Sequence, residues 1–559
     1  MERSPHDYSS LVAMLDEAFT KYAQRVACIH LGHAVTYEAL SQQAFDWAFW
    51  LQSLNLPKGS RVAIMLPNVA ASLATVVGTL RAGHVVVNVN PLYTAHELSG
   101  LLRDSQPSVI VVFETFAHTL QKVQSDLMPA HQIVVRVGDL LPQPKAWMTN
   151  FVVKTIQRKV PAWKLPQAQM LMHVLKQGRA LNQKAGGVLK PLQVSPQDMV
   201  FLQYTGATTG EPKGVMLSHA NIVANVLQIH EVSTPALGHL RNRPLSMLTA
   251  LPLYHIFAMT ICGLYALFSG MTITLVINAR DLHQVVSVWK QSPPAIVPGV
   301  NTLFNALLHN PQFRELDFSS LRLTFGGGMA VQVSVAQAWQ ALTGLTIVQG
   351  YGMSETSPVI SAVPMDTTHF FETVGLPLIW TDIQVLDEHH KPVVQGKVGE
   401  VAVRGPQVML GYWQDPAQTQ ACMTDDGYFL TGDMGLINEV GHLVLVDRKK
   451  DMVVTSGFNV YPAEIDRVFS AHPEVLECAA VGFPDAVCGE VVWLFVVPRS
   501  ENLQEAGLRQ WATEHLTPYK CPRAFVFVKS LPKNTVGKTL RRALRAQYES
   551  GELEQTARG

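Results

Sequence analysis

Short runs made wholly of apolar, mostly β-branched residues recur between helix-like stretches from about residue 35 to about residue 300. Val62-Ala63-Ile64-Met65-Leu66, Val85-Val86-Val87 and Val109-Ile110-Val111-Val112 are examples. A strand that is apolar on both faces must be covered on both sides, and the intervening helices supply the cover, so this part predicts parallel sheets in an α/β arrangement. Beyond about residue 380 the texture changes to short strands with Gly-bearing turns, in Asp382 to Leu386, Gly399 to Val403 and the hairpin-like Leu436 to Val446 around Gly441. These predict a mainly antiparallel β subdomain.

A third texture follows Asp447-Arg448-Lys449-Lys450-Asp451, with strand candidates at Cys478 to Val481, Val491 to Val497 and Phe525 to Val528 and a helix near Leu508 to Leu516. The expected organisation is a large N-terminal domain over 1–446, a hinge at 447–451 and a small, mobile α+β C-terminal domain over 452–559. A chain of 559 residues exceeds one ordinary core, which agrees with that division. Taken alone, the charged run is equally a solvated surface turn.

Charge and cysteine usage exclude several classes. The 43 basic and 43 acidic residues cancel, removing the long-range pull expected of a nucleic-acid binder. The six cysteines (Cys28, Cys262, Cys422, Cys478, Cys488 and Cys521) form no C-x-x-C pair, so neither a disulfide framework nor a zinc site is expected. With a polar, charged stretch from Met1 to Tyr8 in place of an apolar signal core, a reducing, cytoplasmic setting is predicted. Ile256 to Ile277 is uncharged and of bilayer length, but Ser269-Gly270 divides it into a helix-like Ala258 to Phe268 and a strand-like Thr272 to Ile277. It reads as buried helix then buried strand, not as a membrane span.

Chemistry enters most clearly at Tyr204-Thr205-Gly206-Ala207-Thr208-Thr209-Gly210-Glu211-Pro212-Lys213-Gly214, after the apolar strand candidate Met199 to Leu202. A strand feeding a Gly- and Thr-rich loop closed by lysine offers backbone N–H groups, hydroxyls and one ammonium to a polyphosphate. Glu211-Pro212 before Lys213, and Gly214 after it, distinguish the loop from a Walker A sequence. A flexible surface loop is the alternative.

The loop is accompanied by Leu251-Pro252-Leu253-Tyr254-His255-Ile256-Phe257, Gly326-Gly327-Gly328-Met329, Gly350-Tyr351-Gly352-Met353-Ser354-Glu355-Thr356, Thr431-Gly432-Asp433, Asp447 to Asp451, and Pro532-Lys533-Asn534-Thr535-Val536-Gly537-Lys538. In this order, and over nearly the whole chain, the motifs resemble the acyl-adenylate-forming superfamily, most closely bacterial long-chain fatty-acid–CoA ligases. The resemblance implies ATP-dependent ligation of a long-chain fatty acid to coenzyme A through an acyl-AMP intermediate, with Mg²⁺ and release of AMP and pyrophosphate. It places Thr205, Gly206, Ala207, Thr208, Thr209, Gly210 and Lys213 on the phosphates, and Gly327, Gly328, Gln349, Gly350, Tyr351, Gly352, Met353 and Ser354 around the nucleotide. Glu355 and Thr205 are implied Mg²⁺ ligands. Asp433 and Arg448 are implied at the ribose, Gly457 on the CoA side, Lys450 as hinge pivot and Lys538 in adenylation. Lys538, Glu355, Thr205 and Lys213 form the implied catalytic set.

Individual residue types suit these assignments. A carboxylate such as Asp433 accepts from two ribose hydroxyls at once, and Glu355 offers a hard oxygen to Mg²⁺. Gly350 and Gly352 let backbone come close to a ligand, while Tyr351 offers a flat face to adenine or packs as a core aromatic. His255 either touches the acyl carbonyl or packs in the cleft wall. Ala207 departs from the family, which usually has a second glycine there, and its methyl is expected to strain the loop by about 1 kcal/mol if that position needs positive φ.

The acyl chain is less legible. Leu251 to Leu267, Val297 to Leu308 and Met353 are apolar enough to line a hydrocarbon tunnel or to be plain core. Asn150 to Lys164 alternates Lys154, Arg158, Lys159 and Lys164 with Phe151, Val152, Ile156, Val160 and Trp163 at roughly helical spacing, as a solvated helix or a peripheral contact with the inner face of the membrane. Medium-chain or other acids, an acyl-AMP ligase loading a carrier protein, and a fatty-acid binding protein without catalysis are rival readings. A homodimer is compatible with all of them.

Overall fold

The structure is a computed structural model that describes residues 4–205, 213–240, 242–456, 458–485, 487–500, 502–534 and 537–553. Among the described residues two large sheets form the body. In one of eight strands, Met199–Thr205, Val85–Asn88, Arg61–Met65, Val109–Phe113, His131–Val135 and Gln169–Met170 run parallel, and Lys213–Ser218 and Gly411–Tyr412 add an antiparallel edge. The other has nine strands, whose parallel centre is Ile347–Gly352, Leu323–Gly326, Ile296–Gly299, Ser246–Thr249 and Thr272–Leu275. The apolar runs of the sequence are these strands, buried along nearly their whole length. Helices such as Ala70–Arg81 and His219–Val232 lie against them, and side chains from both sheets share one continuous core.

Asp382–Leu386, Gly399–Arg404, Phe429–Ile437 and Leu443–Arg448 make the expected antiparallel sheet, with Gly441 at φ +86° in its last turn. After residue 452 a five-stranded sheet follows, with Val475–Asp485 and Gly489–Pro498 paired over ten positions. Its two faces bury their own apolar clusters, one around Phe469 and Leu494, the other around Phe495 and Leu544. The uncharged stretch resolves as helical turns from Ile256 to Phe268, with a π-helical segment Met259–Tyr265, and then the buried strand Thr272–Leu275. No helix of the described residues is long and apolar enough to cross a membrane.

One element differs from expectation. The helical span read at 150–164 begins earlier, at Lys145–Phe151, continues as the π-helical Val152–Ile156, and stops before Arg158, whose φ is +51°. Pro161 forbids a helical continuation through Val160, which accounts for the early stop.

Candidate active site

Loops at the carboxyl ends of parallel strands gather ligands in open α/β sheets, and Thr205, Gly327, Gly328 and Met353 to Glu355 lie at such ends. Met199–Thr205 and Lys213–Ser218 are an antiparallel pair whose final partners are Thr205 and Lys213, so that hydroxyl and that ammonium stand on one face at the two ends of the Gly- and Thr-rich segment. The loop's Gly206, Ala207, Thr208, Thr209 and Gly210, with Glu211 and Pro212, lie outside the described residues, as does Gly457. The Lys213 ammonium sits 5.1 Å from the centre of the Tyr412 ring. Tyr412 in turn donates its hydroxyl to Glu355 Oε1 at 2.9 Å.

Glu355 occupies a 3₁₀ turn, Ser354–Thr356, just past strand Ile347–Gly352, and its carbonyl accepts from the Met409 N–H at 2.8 Å. Burial pushes its carboxyl above the usual range, which favours the neutral acid unless a cation stands beside it. Among the described residues no three His, Cys, Asp or Glu side chains cluster to hold a metal. One carboxylate and the Thr205 hydroxyl are hard oxygen donors, a set that fits Mg²⁺ taking its remaining ligands from phosphate and water.

A second wall comes from the antiparallel sheet. Asp433 and Arg448 are direct cross-strand partners, with Arg448 Nε 3.4 Å from Asp433 Oδ1. That Nε is buried without a hydrogen-bond partner among the described residues, an orphan donor of the kind a ligand oxygen would satisfy. Asp433 also accepts from the Tyr351 hydroxyl at 2.5 Å. Tyr351 is buried, and burial together with the Asp433 charge pushes its hydroxyl far up, so it stays a neutral donor that fixes the carboxylate.

The C-terminal sheet reaches this wall through the turn at Pro532 to Lys538. Asn534 braces that turn: its N–H donates to the Lys538 carbonyl at 2.9 Å, and its side-chain oxygen accepts from the Lys538 N–H at 2.8 Å. Gly537 has φ +80°, and a Cβ on it would stand 2.4 Å from Thr302 Oγ1, in the first turn of helix Asn301–Leu308. So docked, Lys538 is close enough to Arg448, Asp433, Arg541 and Asp451 to feel their charges. Burial, then the Arg448 charge, push its ammonium down to about 8. The structure thus unites Thr205, Lys213 and Glu355 in one cluster, and Tyr351, Asp433, Arg448 and Lys538 in an adjoining one, across nearly the whole sequence.

The glycines are also required by packing within the protein. A Cβ on Gly350 would meet the Phe325 ring at 2.5 Å, and one on Gly352 would fall 1.8 Å from the Pro358 carbonyl oxygen, so both are demanded by packing within the protein. A Cβ on Gly327 would stand 2.9 Å from the Phe257 ring, and Gly328 has φ +76°. Gln349 ties loops together, accepting from the Val331 N–H at 2.9 Å and donating to the Phe371 carbonyl at 2.8 Å. The Met353 N–H donates to the Pro358 carbonyl at 3.0 Å, opening the turn that carries Ser354. His255 caps the turn Ile256–Ala258 through Nδ1, and burial pushes it down to about 4, so it is neutral. Beyond Phe257 and Phe325, an apolar crevice runs between the strands and the π-helical segment, lined by Ile229, Val232, Ile261, Leu323, Phe325 and Met365.

Lys450 lies in the turn after strand Leu443–Arg448. Its neighbour Lys449 pairs with the buried Glu400 at 2.7 Å, and Glu400 also accepts from the Gly432 N–H at 3.2 Å. Thr302, Asn534 and Glu400 fell within stretches read in the sequence without a role of their own, and Tyr412 went unread. Asn534 and Gly537 carried an Asn-x-x-Gly turn signal inside a quoted motif; Tyr412 and Glu400 carried none.

A profile of the AMP-binding enzyme family matches residues 15–413, and one of the AMP-binding enzyme C-terminal domain matches residues 464–538. A curated Yersinia pestis protein named long-chain-fatty-acid–CoA ligase is 45% identical over 546 residues, covering 97% of this chain and 95% of that protein. Among solved structures, ATP-bound MatB from Rhodopseudomonas palustris is 28% identical, with a TM-score of 0.78 over 96% of this chain and 99% of that one. The anthranilate CoA ligase AuaEII in complex with anthranoyl-AMP shares the fold, with a TM-score of 0.84 over 98% of this chain and 100% of that one, at 23% identity. With profiles over both parts of the chain and a relative this similar across its length, the chain belongs to the AMP-binding enzyme family.

Proposed function

We propose that the protein joins a long-chain fatty acid to coenzyme A in two steps, using ATP and releasing AMP and pyrophosphate. The observation that carries this reading is Lys538, from the far end of the chain, standing beside the Asp433–Arg448 pair. In the first step a fatty-acid carboxylate oxygen attacks the α-phosphorus of ATP, and pyrophosphate leaves. Negative charge meets negative charge there, and the Lys538 ammonium bridges both; removing it costs on the order of 3 kcal/mol, or ~10²-fold in rate. Lys213 and Thr205 hold the departing phosphates. Asp433, oriented by Tyr351, takes the ribose hydroxyls, and the Arg448 orphan donor adds a contact. Glu355 with Thr205 would hold Mg²⁺, which neutralises phosphate charge when bound.

In the second step the CoA sulfur attacks the acyl carbonyl and AMP leaves, the thiol proton passing to the released phosphate or to water. No cysteine nucleophile is required: Cys28 and Cys262 are buried, with thiols pushed up to about 12. The apolar residues beyond Phe257 enclose only about 20 Å³, so an alkyl chain entering between them would have to part them. Rotation of residues 452–559 about Lys450 withdraws Lys538 and brings the loop around Gly457 to the cleft. The setting is cytoplasmic with peripheral membrane contact, and self-association into a homodimer is compatible with this scheme.

The test is AMP and thioester formation with ATP, Mg²⁺, CoA and acids from acetate to oleate, plus aromatic acids. Oleate should give the highest kcat/KM. A maximum at short or aromatic acids sinks the substrate assignment, and acyl-AMP that accumulates without consuming CoA sinks the thiol.

A further inference from the structure

The helix Lys145–Phe151 and its π-helical continuation Val152–Ile156 are mounted with the apolar side outward. Ala146 is buried, and Asn150 Oδ1 accepts from the Gly138 N–H at 2.8 Å, so small and polar groups hold the segment to the body. The outer side carries Trp147, Met148, Phe151 and Ile156, which are 64%, 54%, 46% and 65% exposed. Trp147 and Phe151 stack with ring centres 5.5 Å apart and planes 12° apart, making one flat aromatic face. A surface helix ordinarily turns such residues to the core, and large apolar side chains grouped in water mark a contact surface.

Charge says what meets it. From 142 to 164 the chain has five basic residues and no acidic one, in a protein whose 43 basic and 43 acidic residues otherwise balance. Lys154 is paired with Glu114 at 2.9 Å, and Lys145 donates to the Leu31 carbonyl at 2.6 Å; Arg158, Lys159 and Lys164, past the helix end, are exposed. Indole and phenyl rings followed in the chain by exposed cations, with no carboxylate in the segment, match the headgroup region of an anionic bilayer: rings enter the acyl boundary while ammonium and guanidinium groups meet phosphates.

We propose that residues 142–164 are a docking surface for an anionic lipid bilayer, laying the protein on the membrane by Trp147, Met148, Phe151 and Ile156. This rests on the peripheral contact in the functional reading, yet its test reads binding and not ligation. The full-length protein is sedimented with phosphatidylcholine vesicles with and without phosphatidylglycerol. Wild type should bind the anionic vesicles and release with salt. Two variants, Trp147→Ser/Phe151→Ser/Ile156→Ser and Arg158→Glu/Lys159→Glu/Lys164→Glu, should each lower partitioning at least ~10-fold. Both sets of side chains are on the surface, so folding should persist, checked by unchanged turnover of detergent-dispersed oleate. Variants that sediment like wild type overturn the proposal. So does a serine variant that changes only the oligomeric state, since the surface then serves protein contact. If wild type binds vesicles but makes no thioester, the ligase reading falls and the docking surface stands.

Discussion

Lys538 enters a pocket that already holds the guanidinium groups of Arg448 and Arg541, opposed by Asp433 and Asp451. With its ammonium held at about 8, the charged form prevails below that pH and is lost as pH rises through it. Adenylation should therefore show an alkaline limb in kcat/KM near pH 8, and a higher one in kcat, because bound polyphosphate favours the charged form. Lys538→Arg should abolish the limb and Lys538→Ala should remove about 10²-fold of the rate with it; a limb that survives in the arginine enzyme would assign it to another group. At this scale the sequence displayed which residues meet but not what each touches. Tyr351 was legible as a flat aromatic, whereas its hydroxyl bond to Asp433 joins residues 82 apart and leaves no local pattern. Gly350 and Gly352 announce close approach, but spacing does not say that the approaching groups are Phe325 and the Pro358 carbonyl.

Gly537, next to Lys538, lies so close to Thr302 that no Cβ fits between them. A methyl at 537 meets Thr302 Oγ1 and also strains a backbone at φ +80° by about 1–2 kcal/mol. Gly537→Ala should cut acyl-AMP formation at least ~10-fold while sparing thioester formation from supplied acyl-AMP, and Thr302→Ala should restore part of the loss. Equal loss in both half-reactions, with no rescue, would mean the glycine serves the turn alone. Strands were the most legible elements, because runs such as Val109 to Val112 have no polar side to present to water. The helix from Lys145 was the least: its apolar residues face outward, so periodicity located an amphipathic segment but misplaced its ends.

Across the whole molecule, the C-terminal sheet is packed by its own two apolar clusters and is joined to the body through the turn after Arg448, where Lys449 is tethered to Glu400. A unit with its own core can move as a rigid piece while a few backbone angles change. Lys450→Pro, by fixing one of those angles, should leave pyrophosphate release in the first step near wild type and slow thioester formation about 10²-fold, measured by single turnover of each half-reaction. Unimpaired thioester formation would remove Lys450 as pivot. The α/β and antiparallel textures were visible in the sequence as changes of rhythm. The docking of one part on the other was not, since it depends on contacts such as Gly537 with Thr302, far apart in the chain. The crowding of cations around Lys538 has a consequence for timing. Arg448 and Arg541 keep carboxylate partners in Asp433 and Asp466, so under the proposed scheme it is Lys538 that loses most when pyrophosphate departs. A lysine left with fewer anions beside it would hold the C-terminal part less firmly at just the stage when the proposed rotation has to admit the thiol.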